Sequence, residues 1–112
     1  MLSKENRLKK RKDFNLVFQK GESINSDYLR IKFKEIKGKK IGFVAPVRDF
    51  KKATERNKIK RKLRAAFKPL VARLKEDIGI IIIAKKPIEG KSVEETREII
   101  EKNLIRSKLL KK

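Results

Sequence analysis

The sequence predicts an α+β sandwich, with helices packed on one small sheet. Three observations predict it. Residues 53–68 and 92–109 carry apolar positions at helical spacing. Tyr28 to Ile36 alternates apolar with basic residues, the two-residue period of a strand with one buried face. Ile78 to Ala84 is a β-branched run around Gly79, far too short to cross a membrane and suited to a buried strand.

The elements follow in order. Met1 to Lys12 is polar and basic, and reads as a flexible, mostly extended arm. Asp13 to Lys20 is a short helix, closed by Gly21 as a left-handed C-terminal cap. Its Phe14, Val17 and Phe18 share one face. That face is either core or the wall of a groove, where each stacked base is worth roughly 1–3 kcal/mol. Glu22 to Ile24 is a short edge strand. In the next strand Leu29, Ile31 and Phe33 face one way and Arg30, Lys32 and Lys34 the other, with Tyr28 on the basic side. An aromatic among cations suits single-stranded nucleic acid; a plain amphipathic strand with lysine as solubiliser fits equally. Gly38-Lys39-Lys40 is a hairpin turn into a strand from Lys40 to Val47, where Pro46 must lie at an edge or an end. Arg48 to Lys52 is a loop. The central helix has Thr54 as its N-cap, and Pro69 ends or kinks it near Lys68. Leu70, Val71 and Leu74 add a turn or two. After the strand of residues 78–84, Ser92-x-x-Glu95 is a capping box. The last helix runs to about Leu109, with Val93, Thr96, Ile100, Asn103 and Leu104 on one face.

Composition bounds the function. The chain has 112 residues, enough for one domain spanning 1–112 with a modest core. Its 34 Lys/Arg against 14 Asp/Glu give a formal charge of +20, which points to a polyanionic partner. There is no long apolar run and no basic-apolar leader, so nucleic acid is expected rather than membrane. Residues 1–88 carry a net +18 and residues 89–112 only +2, so the binding surface is expected early and the last helix as scaffold. Cys and His are absent, which excludes thiol nucleophiles, imidazole bases, zinc sites and disulfides. Cytoplasm is the default location.

The central helix concentrates the charge. From Arg48 to Lys68 there are ten Lys/Arg and two acids. At about 100° per residue, Ile59, Leu63, Ala66 and Phe67 fall in one arc, and Asn57, Lys60, Arg61, Arg64 and Lys68 in the adjoining one. A solvated helix usually mixes signs to gain i,i+4 pairs. A row of one sign repels itself until a polyanion neutralises it.

Arg56-Asn57-x-x-Lys60-Arg61-x-x-Arg64 resembles the signature helix of the protein subunit of bacterial ribonuclease P. Arg7-Leu8, Asp13-Phe14-x-x-Val17-Phe18-x-x-Gly21, Ile41-Gly42-Phe43-Val44 and the stretch from Ile80 to Lys86 occur in the family's order and at about its spacing. The resemblance covers nearly the whole chain. It implies an αβββαβα sandwich with a small four-stranded mixed sheet, as in a domain of a small-subunit ribosomal protein. It also implies a left-handed crossover carrying the basic helix, against the usual rule. The function it implies is that of a non-catalytic subunit of a ribonucleoprotein endonuclease that cuts the 5′ leader from precursor tRNA. Chemistry and Mg²⁺ would lie with the RNA subunit, and no protein residue would be catalytic or hold a metal. The partners implied are ribonuclease P RNA and precursor tRNA, with no membrane and no obligate protein partner.

The resemblance also distributes roles. Arg56, Asn57, Lys60, Arg61, Arg64 and Lys68 are expected to face the catalytic RNA. Phe14, Phe18 and Tyr28 would line the leader groove, with Lys85 and Lys86 at its end. Arg7, Lys9 and Lys12 of the arm would extend the footprint. Pro46-Val47-Arg48-Asp49 replaces a stretch usually rich in Ser and Lys, and Lys51 stands where Gly often follows. Arg48, Lys51 and Lys52 are expected to supply the contact with the tRNA leader near the cleavage site instead.

Other classes fit less well. Gly90-Lys91-Ser92 lacks the first glycine of a phosphate-binding loop, since Lys85 stands there. A structural RNA-binding protein would share the basic helix but would not need the two phenylalanines. A DNA regulator reading half-sites would need a dimer seam, and none is evident. An enzyme acting alone lacks a nucleophile–base constellation.

Overall fold

The computed structural model describes residues 6–110. Its elements are α1 (Arg11–Lys20), β1 (Glu22–Asn25), β2 (Leu29–Glu35), β3 (Lys39–Val44), α2 (Ala53–Phe67), β4 (Ile78–Ala84) and α3 (Val93–Arg106). Short 3-10 segments span Lys68–Arg73 and Lys86–Gly90. The αβββαβα order is the expected one. The sheet order is β1-β2-β4-β3, with β4 antiparallel to β2 and parallel to β3. β4 takes the interior place because it is apolar on both faces and needs cover on both. Only Ile83 of its seven residues is not fully buried.

That placement corrects the expected hairpin. Gly38, at φ +83°, does turn the chain, but β2 and β3 are not neighbours, because β4 lies between them. β3 also stops at Val44, so Pro46 lies outside it.

The register sorts the sheet into two faces. Leu29, Ile31, Ile41, Ile78, Ile80, Ile82 and Ala84 join Ile59, Leu63, Ala66 and Phe67 of α2 and Ile100 and Leu104 of α3 in one core. The opposite face carries Arg30, Lys32 and Lys34 from β2, Gly79, Ile81 and Ile83 from β4, and Lys40, Gly42 and Val44 from β3. α1 crosses only part of this second face. Val17 packs where a Cβ on Gly79 would stand, 2.8 Å from its Cγ2. Ile81 is fully buried there, while Ile83 and Val44 are not.

Several local expectations change. Gly21 is not a left-handed cap; it is extended, at φ −77°. Glycine is needed there because a Cβ would lie 2.4 Å from the Val17 carbonyl oxygen and 2.7 Å from that of Phe33. The basic arm is shorter than 1–12. Arg11 and Lys12 are already helical, and the Leu8 N–H donates to the Ile41 carbonyl at 3.0 Å. Asn6 Nδ2 likewise donates to the Lys39 carbonyl at 3.0 Å, so residues 6–8 follow the outer edge of β3. Residues 1–5 of the expected arm lie outside the described residues. The N-cap of α2 is Lys52, not Thr54, and the Glu55 carboxylate accepts the Lys52 N–H at 3.4 Å.

α3 begins as expected. Ser92 Oγ accepts the Glu95 N–H at 3.0 Å, and the Glu95 carboxylate accepts the Ser92 N–H at 3.1 Å. The helix ends at Arg106 rather than near Leu109, because Lys108 turns left-handed at φ +62°. Val93 is exposed, while Thr96, Ile100, Asn103 and Leu104 are buried. The hydrogen bonds with Ser92 hold the Glu95 carboxyl below its ordinary 4.5. A depressed carboxylate stabilises the fold above that pH and loses the contribution as pH falls through the folded value. Glu95→Gln keeps the box but cannot titrate. Its melting temperature should therefore fall less steeply below pH ~4.5 than that of the unchanged protein; parallel curves would show that Glu95 does not carry this linkage.

Candidate nucleic-acid interface

α2 buries Ile59, Leu63, Ala66 and Phe67 and leaves the adjoining arc facing outward. Asn57, Arg61 and Lys68 are exposed, and Lys60 and Arg64 are half-exposed. Arg56 is different. Its Nη1 donates to the carbonyls of Phe50 at 3.0 Å and Lys51 at 2.9 Å. It therefore anchors the loop that displays Arg48, Lys51 and Lys52, all exposed. Arg64 lines a concavity with Arg7, Lys9 and Gly42. The docked N-terminal segment thus makes the cationic surface continuous from α2 to the edge of β3. Lys12 is exposed on the first turn of α1.

Lys62 was given no role by the sequence. Its Nζ donates to the carbonyls of Ile88 at 2.6 Å and Lys91 at 2.9 Å, which ties α2 to the segment between β4 and α3. Burial lowers its pKa, against an opposing pull from Glu89. The only sequence signal is its place on the helix, at the edge of the apolar arc away from the open one. Lys62→Met should destabilise the fold by about 1–3 kcal/mol, since the two carbonyls lose their donor. RNA affinity measured well below the melting temperature should not change; a large loss of affinity with full stability would make Lys62 an RNA contact instead.

The second face of the sheet holds the groove. The Phe14 and Phe18 rings stack with centroids 5.9 Å apart and planes 13° apart. Val17 between them is fully buried, whereas Phe18 is 40% exposed. The shared apolar face therefore divides, with Val17 as core and the rings as wall. Ile83 and Val44 supply an apolar floor that α1 leaves open. Lys32, which no motif singled out, donates from Nζ to the Phe18 carbonyl at 2.8 Å and lies 4.8 Å from its ring centroid.

Two expected groove residues, Tyr28 and Lys86, lie elsewhere, while Lys85 lies at the end of the groove, on the same Asn25 oxygen that holds Arg30. Tyr28 precedes β2 and packs against the core cluster, with Lys91 Nζ 4.9 Å over its ring. It is therefore not on the basic side with Phe14 and Phe18. Lys85 Nζ donates to the Ser26 carbonyl at 2.6 Å and to Asn25 Oδ1 at 3.1 Å, which closes the β1–β2 turn onto β4. Lys86 pairs with Glu89 at 2.6 Å and Glu55 at 3.8 Å, and lies 5.6 Å over the Phe50 ring. Its hydrogen bond to Glu89 raises its pKa. It groups with Arg48, Lys51 and Glu55 at the start of α2.

Among the described residues no group of three or more acids converges as a metal site would require.

The family profile described as Ribonuclease P matches residues 2–108. A ribonuclease P protein component from Pseudanabaena is 36% identical over 94 residues, covering 78% of this chain and 81% of that one. The structure of the Staphylococcus aureus ribonuclease P protein superposes with a TM-score of 0.80 at 26% identity, over 96% of this chain and 99% of that one. The Thermotoga maritima ribonuclease P protein gives 0.77 at 31% identity, over 90% and 96%.

Proposed function

The chain belongs to the ribonuclease P protein family, and from that premise we propose that it is the RNA- and leader-binding subunit of a bacterial-type ribonuclease P. The open cationic arc of α2, with Lys60, Arg61 and Arg64, binds backbone phosphates of the RNA subunit. The docked residues Arg7 and Lys9 extend that contact. The groove beside Phe14 and Phe18 takes the single-stranded 5′ leader of precursor tRNA, with bases stacking on the exposed ring. Holding both partners raises the affinity for precursor over mature tRNA. Mg²⁺ and the cleavage chemistry belong to the RNA subunit, and the protein neutralises phosphate repulsion around them. Arg48, Lys51 and Lys52 stand on the Arg56-anchored loop as further contacts.

The observation that carries the reading is a stacked pair of phenylalanines, with the Phe18 ring exposed, beside a continuous cationic surface. Its test is precursor-tRNA cleavage by a bacterial ribonuclease P RNA at low Mg²⁺, with and without the protein. Stimulation that grows with a 5′ leader is expected. Tight RNA binding without stimulation would mark a structural RNA-binding protein and overturn it.

A further inference from the structure

The wall of the groove is aromatic, but its β2 side is cationic. Arg30 and Lys32 are alternate residues of one strand, so both face the groove, about 6.8 Å apart along β2. Their cross-strand partners are Asn25 and Ser23 on β1 and Ile83 and Ile81 on β4. None of these is acidic, so neither cation is neutralised across the sheet. Arg30 is exposed and donates from Nε to Asn25 Oδ1 at 3.2 Å. That bond steadies the guanidinium and leaves its two terminal nitrogens available for an anion.

Lys32 does two things at once. Its ammonium sits at a carbonyl of the last turn of α1, where the helix dipole favours a cation. It also lies over the Phe18 ring, whose face attracts a cation. The side chain therefore fixes the exposed ring and places a positive charge beside it. Solubilising lysines usually extend into water; this one is held inward by two contacts.

We propose that Arg30 and Lys32 are the phosphate rail of the groove. A single strand lies with its bases toward Phe14 and Phe18 and its sugar-phosphate backbone along β2. Lys32 is in addition the positioning residue for Phe18. The inference rests on the reading of the groove as the 5′-leader site. It adds which side of the groove carries the backbone.

The test uses the protein assembled with a bacterial ribonuclease P RNA. Affinity is measured across a salt series for a precursor tRNA and for the same tRNA without its leader. For Arg30→Gln combined with Lys32→Gln, the salt slope on the precursor should fall by about two, and the slope on the leaderless tRNA should not change. Lys32→Met alone should remove about one from the slope and cost roughly tenfold in precursor affinity, and Lys32→Arg should restore both. If the unchanged protein favours the precursor and the double variant keeps its slope, the rail is wrong and the groove reading stands. If the unchanged protein shows no preference for the precursor, the groove reading itself fails. Equal losses on both substrates, with a lower melting temperature, would make the pair structural and overturn the rail.

Discussion

Replacing Lys60 and Arg64 together by Ala should weaken binding to the RNA subunit on the order of 100-fold, if each gives up a phosphate contact of roughly 1.5 kcal/mol. The salt slope should fall by about two, because each lost contact releases about one counterion fewer. The melting temperature should hold or rise. Both side chains lie in a one-sign row on α2, four residues apart, where like charges repel. The measurement is RNA affinity across a salt series, with a thermal melt of each variant. An unchanged slope would remove these residues from the phosphate contact. A lower melting temperature would show that they hold the fold. Arg56 is the wrong residue for this experiment. Its guanidinium holds the carbonyls of Phe50 and Lys51, so its loss would also free the loop bearing Arg48.

Gly21→Ala should destabilise the protein by about 1–3 kcal/mol, the usual range for forcing atoms into a packed site. For a domain near this size that lowers the melting temperature by roughly 4–8 °C per kcal/mol. The added Cβ would meet two backbone oxygens, of Val17 and Phe33, and neither can swing aside as a side-chain end can. Gly21→Asn distinguishes the two reasons for a glycine. A left-handed cap tolerates Asn, whereas the extended backbone seen here makes Asn no better than Ala. A mild Asn variant beside a damaging Ala variant would reinstate the cap. Because Gly21 ends the helix that carries Phe14 and Phe18, leader affinity should fall in the Ala variant. Affinity for the RNA subunit, through the distant face of α2, should remain.

Much of the fold was legible because its signals are local. β4 is a run of β-branched residues, and only a strand buried on both faces suits it. Ile59, Leu63, Ala66 and Phe67 repeat at helical spacing, and those four are the residues α2 buries. Ser92 and Glu95 stand three apart, which is all a capping box requires. The misread termini have local causes too. Lys52, rather than Thr54, caps α2, since Glu55 can reach its N–H from three residues on.

The candidate site was legible in part. The motif located the cationic helix, and the pair Phe14 and Phe18 stood out by their i,i+4 spacing. Tyr28, Lys85 and Lys86 were placed in the groove by the resemblance, but contacts distant in sequence hold Tyr28 and Lys86 outside it and fix Lys85 at its end. Lys91 covers Tyr28, Asn25 and Ser26 hold Lys85, and Glu55 pairs with Lys86. Lys62 was missed, and Lys32 was read only as one cation of the basic strand face, for the same reason. One of many lysines carries no mark that its ammonium will meet a helix end or a set of carbonyls.

The sequence by itself determined the class of the fold, the order of its elements, the polyanionic partner and the cationic arc of α2. These depend on composition and on periods of two and 3.6 residues, which neighbours along the chain express. Only the tertiary structure decided that β4 separates β2 from β3, that residues 6–8 dock on β3, and which cations remain open. Those outcomes depend on which apolar faces can be covered together. They also depend on which buried carbonyls and carboxylates claim a charge, and the chain settles both only once it has closed.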